Sequence, residues 1–131
     1  MAIVNWAYHG LHLDYSSMYE GAHPSDIDMF YLYDDDTLLI GEIKNCTGKY
    51  KRGQRMLHQR LIDGREGDGL ILYITHDKFY QNGDRRVDVP ECYVRQIYYK
   101  NSHRWVNPLR PTKVREVLEY YARRAKENGD K

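Results

Sequence analysis

The chain has 131 residues, enough for one domain with a sound core and too few for two. Hydrophobic residues at 41% and charged residues at 30%, without a Gly-, Pro- or Ser-rich tract, exclude a disordered polymer, and no run of about 18 apolar residues exists to make a membrane-spanning helix. The net charge of +1 predicts no general affinity for a polyanion, but its distribution is uneven: residues 1–43 carry eight acids and no Lys or Arg, while the remainder carries 20 bases against 11 acids.

A split of this kind suits an acidic pocket for cations beside a basic surface for phosphates, although folding can also average it out. The opening MAIVNWAYHGLHLDY has neither the basic nor the long apolar region of a secretory leader. Cys46 and Cys92 form no CxxC pair, so the reading is two reduced thiols rather than a zinc site or a disulfide framework. The expected setting is cytoplasmic, with no membrane association, and residues 1–131 are read as one domain.

In chain order, short extended or helical pieces are expected around Ile3 to Tyr8 and Leu13 to Glu20. His23-Pro24-Ser25-Asp26 reads as a turn, since Pro24 disfavours helix at His23 and Ser and Asp bond to nearby backbone. IDMFYLY and TLLIGEIKN then flank three aspartates, the pattern of a β-hairpin. KYKRGQRMLHQRLIDG predicts a helix from about Lys51 to Asp63, with Met56, Leu57, Leu61 and Ile62 as its apolar face and Gly64 as its stop. GLILYITH predicts a buried strand over about Gly69 to Thr75, and Asn82-Gly83-Asp84 a loop. CYVRQIYYKNSHRWVNP suggests a second hairpin turning at Lys100 to His103. Pro111 then opens a terminal helix with Val114, Val117, Leu118 and Tyr121 on one side. This order argues for an α/β or mixed α+β fold, a central mixed sheet flanked by helices.

The first hairpin carries the chemistry. If it is symmetric about Asp35, partners have numbers that sum to 70, so Phe30 faces Ile40, Leu32 faces Leu38 and Asp28 faces Glu42. Strand alternation puts these residues and Lys44 on one face, apolar at one end and charged at the other. Opposed carboxylates with Cβ atoms about 5 Å apart destabilise a sheet unless something compensates. A Mg²⁺ ion, hard and oxygen-seeking, would do so, and Lys44 would do so in part. Such a group suits phosphodiester hydrolysis: Asp28 and Glu42, with the carbonyl of Ile43 assisting, would hold one or two Mg²⁺ or Mn²⁺ ions, and Lys44 would orient water or stabilise phosphoryl charge. A solvated hairpin face with a weak ion pair is the structural alternative, and the apolar neighbours argue against it.

The string SDID, then thirteen residues between Asp28 and Glu42, then GEIKN resembles the PD-(D/E)XK nuclease superfamily, with Asp28 at its motif aspartate and Glu42-Ile43-Lys44 at its E-x-K. The nuclease-related-domain and virus-type replication-repair groups are the most similar in pattern. The resemblance covers roughly Glu20 to Thr75. It implies a restriction-endonuclease-like core, Mg²⁺ dependence and DNA as substrate. It also draws in Gln54, at the start of the helix after the triplet, as a further catalytic residue, and Glu20 as an additional metal ligand. The alternatives are a polar first-turn glutamine and an exposed helical glutamate.

Asp26 competes with Asp28 but sits in the turn. His9 and His12, three apart, lack a third ligand at useful spacing. Lys49, Lys51, Arg52 and Arg55, with Arg60 beyond them, form a basic cluster directly after the triplet that could contact phosphates or be a solvated helix face. Tyr98, Tyr99, Arg104 and Trp105 could stack on nucleic acid or fill a hairpin core. The functional expectation is a metal-dependent DNA nuclease, in which pairing into a homodimer would let so small an enzyme reach both strands. A non-catalytic module that binds nucleic acid or protein on the same fold is the competing expectation.

Overall fold

The computed structural model describes residues 27–46, 48–76 and 87–129, together with the backbone of residues 3–6; side chains are described through residue 127. The expectations for Glu20, Asp26, His9, His12 and the loop at Asn82 lie outside these residues. A six-stranded mixed sheet runs in sequence order: β1 (Ile3–Trp6), β2 (Met29–Tyr33), β3 (Thr37–Asn45), β4 (Gly69–His76), β5 (Tyr93–Tyr99) and β6 (Arg104–Val106). All neighbours are antiparallel except β3 and β4, which are parallel and joined by helix α1 (Arg52–Asp63). Helix α2 (Val114–Gly129) follows β6. The expected fold class, a mixed α/β sheet with flanking helices, is therefore the observed one.

The β2–β3 hairpin has the expected register, with Phe30 paired to Ile40 and Leu32 to Leu38. Its turn works because Asp34 and Asp35 take positive φ values of 51° and 57°, which the twist of a tight hairpin demands and which aspartate tolerates. The Asp36 N–H closes the turn on the Tyr33 carbonyl at 3.0 Å.

Alternation along the strands divides the core in two. One face gathers Met29, Leu39, Leu72, Ile74, Val94 and Ile97 beneath Val114, Val117 and Tyr121 of α2, which presents the side expected of it. The opposite face gathers Ile40, Ile71, Tyr98 and Tyr50 beneath Ile62 of α1.

Helix α1 differs from expectation in which stripe it buries. Met56, Leu57 and Leu61 are 40%, 40% and 44% exposed, whereas His58 and Ile62 are fully buried. The sheet-facing stripe is thus Gln54-His58-Ile62, at i, i+4 and i+8. His58 can occupy it because it is answered from the segment before the helix: the Tyr50 hydroxyl meets His58 Nδ1 at 2.5 Å. At the other end of the stripe Ile62 seats over Gly69, where an added Cβ would lie 2.8 Å from the isoleucine methyl. Only glycine permits this approach of helix to strand.

Helix α2 begins at Val114 rather than directly after Pro111, because the intervening residues pair along β5. Val94 donates to the Thr112 carbonyl and Val114 donates to the Cys92 carbonyl, both at 2.9 Å. The helix then starts with Glu116 accepting the Lys113 N–H at 2.7 Å, half of a capping box.

Candidate active site

The carboxyl end of β3 is where polar residues meet the core. Glu42 faces the α1 side and is only 2% exposed, in register with Tyr73 on β4. Two residues on, and therefore on the same face, Lys44 brings Nζ to 3.1 Å from Glu42 Oε1. The lysine side chain retains 26% exposure against 3% for the glutamate, so the pair spans from core to solvent. Taking such charges out of water is costly unless each is answered, which makes the pair a poor choice for stability alone.

Asp28 stands just before β2. Because Met29 pairs with Gly41, the next step outward sets Asp28 opposite Glu42, as the hairpin symmetry requires. Its carboxylate turns into the plane of the sheet, where Oδ2 accepts the Ile43 N–H at 2.7 Å. One side chain thereby takes over a ladder hydrogen bond as β2 leaves β3. In an extended strand the N–H and C=O of one residue point to the same edge, so the Ile43 carbonyl is directed toward Asp28 as well. The Tyr50 phenol registers both acids: burial raises its pKa most, the Glu42 charge raises it further, Arg55 opposes, and Asp28 adds to the rise.

Gln54 joins from α1. Ile62 lies over the Gly69–Leu38 pair at the start of β4. Eight helical residues back is about 12 Å, or between three and four strand residues, roughly the distance from Leu38 to Glu42. By that reckoning Gln54 falls toward the Glu42 end of β3. Its Oε1 is buried and has no hydrogen-bond partner among the described residues. An acceptor left in this way costs about 1–3 kcal/mol, so its position suits a ligand that would donate to it or coordinate it.

The basic cluster divides. Lys49, Lys51 and Arg52 are exposed at the start of α1, whose first turn contains no acid and whose Lys51 N-cap provides no side-chain cap. Arg55 turns inward instead: its guanidinium lies 4.5 Å from the Trp105 ring centroid and 4.8 Å from that of Tyr50, and bonds Gln96 Oε1 at 3.2 Å. This makes Arg55 a brace under the site rather than an outward phosphate contact. Tyr98 and Trp105 likewise serve the hairpin core, with Tyr98 fully buried and its hydroxyl donating to Asp63.

No family model, curated protein or solved structure matches this chain. The chemistry of the site itself has to carry the functional reading. Asp28 is bonded to Ile43 and Glu42 is paired with Lys44 at one end of β3, Gln54 falls toward the same end, and Glu20 lies outside the described residues. Among the described residues, no three His, Cys, Asp or Glu side chains form a metal-binding group. Two carboxylates, a backbone carbonyl and an amide oxygen nevertheless fit Mg²⁺, which is commonly bound through one or two carboxylates with water and substrate phosphate completing the shell.

Sequence reasoning missed Tyr50, His58 and Tyr73, which wall the site. Tyr50 and Tyr73 stack with centroids 5.3 Å apart and planes 14° off parallel. A signal for His58 was available in its position four residues after Gln54, but the neighbouring leucines made the stronger apolar pattern.

Proposed function

We propose that the protein is a metal-dependent nuclease that hydrolyses phosphodiester bonds in DNA. The observation that carries this reading is the buried Glu42 with Lys44 Nζ 3.1 Å away and Asp28 tied to the amide between them at 2.7 Å. Two acids and a base are held at one point by three backbone-anchored positions. Charge spent in this way against folding stability is characteristic of reaction centres.

Asp28 and Glu42, with the Ile43 carbonyl and Glu20, would hold Mg²⁺ or Mn²⁺. When bound, such an ion acts as a Lewis acid toward the phosphoryl group and lowers the pKa of water. Lys44 balances the Glu42 charge and, being partly exposed, would be reachable by an incoming phosphate. Gln54 contributes a buried acceptor that would orient the attacking water. Lys49, Lys51 and Arg52 would follow the DNA backbone as it enters. Among the described residues no helix is long and apolar enough to cross a membrane and Cys46 and Cys92 form no disulfide; the proposed place of action is the cytoplasm.

The test is incubation with linear, circular, single-stranded and branched DNA in Mg²⁺ or Mn²⁺, comparing the native protein with Glu42→Ala and Lys44→Ala. Cleavage that needs the ion and disappears in both variants is expected. Equal cleavage by all three proteins would sink the mechanism, and binding without cleavage by the native protein would favour the non-catalytic module.

A further inference from the structure

Strand β5 breaks its own alternation. Val94 and Ile97 both enter the α2-side core, leaving two residues rather than one or three between them. The break coincides with a shift of register against β4 between Tyr73 and Ile74, the mark of a β-bulge. Without the bulge, Arg95 would face away from the α1 side. With it, Arg95 and Gln96 both turn to that side: Gln96 receives Arg55, and Arg95 donates from Nε to Thr75 Oγ1 at 2.7 Å.

Thr75 is buried and in register with Lys44, so the bond ties Arg95 to the strand neighbouring the reaction centre. Using Nε for this contact fixes the guanidinium plane and leaves both terminal amines for another group. Arg95 makes no ion pair among the described residues and is exposed. Tyr93, 46% exposed, lies beside it on the same strand. Both line a cavity of about 270 Å³ at the carboxyl ends of β3 and β4. Of the acids on its wall, Glu91 is already neutralised by Lys113 at 2.7 Å and Arg115 at 3.0 Å, and Asp88 is exposed.

We propose that Arg95 and Tyr93 form a nucleotide subsite, in which the Arg95 fork binds a phosphodiester flanking the cleaved bond and the Tyr93 ring receives the adjoining base. The chemistry is that of strand tracking: a bidentate cation for the phosphate and an aromatic face for any base. Two strand spacings, about 10 Å, separate β5 from β3, so a bound strand can pass from Lys44 to Arg95 without a bend. The inference rests on the nuclease reading for its orientation of the substrate.

The experiment measures binding of a labelled oligodeoxynucleotide by anisotropy with Ca²⁺ replacing Mg²⁺, and cleavage kinetics in Mg²⁺, for the native protein, Arg95→Ala, Arg95→Lys and Tyr93→Ala. Each single phosphate around the cut is also replaced in turn by a neutral methylphosphonate. Arg95→Ala is expected to weaken binding and raise KM by about tenfold or more with kcat held, and Arg95→Lys to recover part of the loss. One methylphosphonate position should weaken the native protein equally and cost Arg95→Ala nothing further. Unchanged binding in Arg95→Ala, or the same loss for it and the native protein at every phosphate, overturns the subsite. If Arg95→Ala does not fold, the native scan with Arg95→Lys decides, and no position sensitive to both changes overturns it. Cleavage by the native protein judges the nuclease reading separately, since a position-specific binding loss can survive without turnover.

Discussion

The two faces of the sheet are built on opposite terms. Beneath α2 the contacts are aliphatic and aromatic, with Met29, Leu39, Leu72, Ile74 and Val114 essentially inaccessible to water. Beneath α1 a smaller apolar cluster shares its space with Glu42, His58, Arg55 and Gln54, each of which has to be answered by a polar or aromatic partner or left at a cost. The α2 face holds the fold, and it can therefore carry an α1 face that is not optimal for stability. Separation of this kind is expected where a small protein accommodates a reaction centre.

The contrast between the faces is tested first at the proposed reaction centre. Lys44→Ala should slow cleavage by about 10²–10³-fold or more, read as single-turnover rate, and should also lower the thermal midpoint, because it leaves the buried Glu42 carboxylate without its cation. Replacing Glu42 and Lys44 together by methionine should abolish cleavage yet leave the protein as stable or more so, because the desolvated pair is exchanged for packing. A large loss of stability in that double variant would show that the pair holds the fold. On the α2 face, Leu72→Ala should cost about 2–5 kcal/mol by denaturant unfolding.

Gln54→Leu sharpens the contrast in the other direction. Removing a buried, unanswered acceptor should raise stability by about 1 kcal/mol while slowing cleavage, measured by denaturant midpoint and rate on the same preparation. Smallest of all is the outer stripe of α1: Leu57→Lys and Leu61→Lys should each stay within about 0.5 kcal/mol of the native protein. Ile62→Ala, on the inner stripe, should cost several times as much.

Alkaline pH loads both faces at once. Burial raises the phenols of Tyr33 and Tyr121 on one face and Tyr50 on the other, Tyr121 to about 12 from its ordinary 10. Between those values the unfolded chain has released protons that the folded one retains, so stability is full below pH 10 and falls as pH rises toward 12. Tyr121→Phe should flatten that slope, followed by denaturant unfolding alongside phenolate absorbance.

The sequence made the hairpin and its register readable because three aspartates between two apolar strands leave a single symmetric pairing that keeps both faces consistent. The positions of Asp28, Glu42 and Lys44 followed from that arithmetic. Helix α1 was legible in extent but not in orientation. Leucines at helical spacing normally mark the buried face, and here the buried histidine is stabilised by Tyr50, a partner eight residues away that periodicity does not reveal. The inward turn of Arg55 escaped notice for a related reason, since the Trp105 ring on β6 and the Tyr50 ring before α1 come together around it only in three dimensions. The bulge at Arg95 left no sequence mark beyond the single interrupted alternation between Val94 and Ile97.

The bond from Asp28 to the Ile43 amide also makes the site a reporter of strand pairing. A chain folded with β2 slipped by one residue would offer Met29 or Ile27 to that amide, and neither has a carboxylate or any oxygen on its side chain to accept it. Such a molecule could be compact and helical and still lack the proposed reaction centre. Specific activity, set against the amount of folded protein, would then count the fraction of hairpins that closed in register.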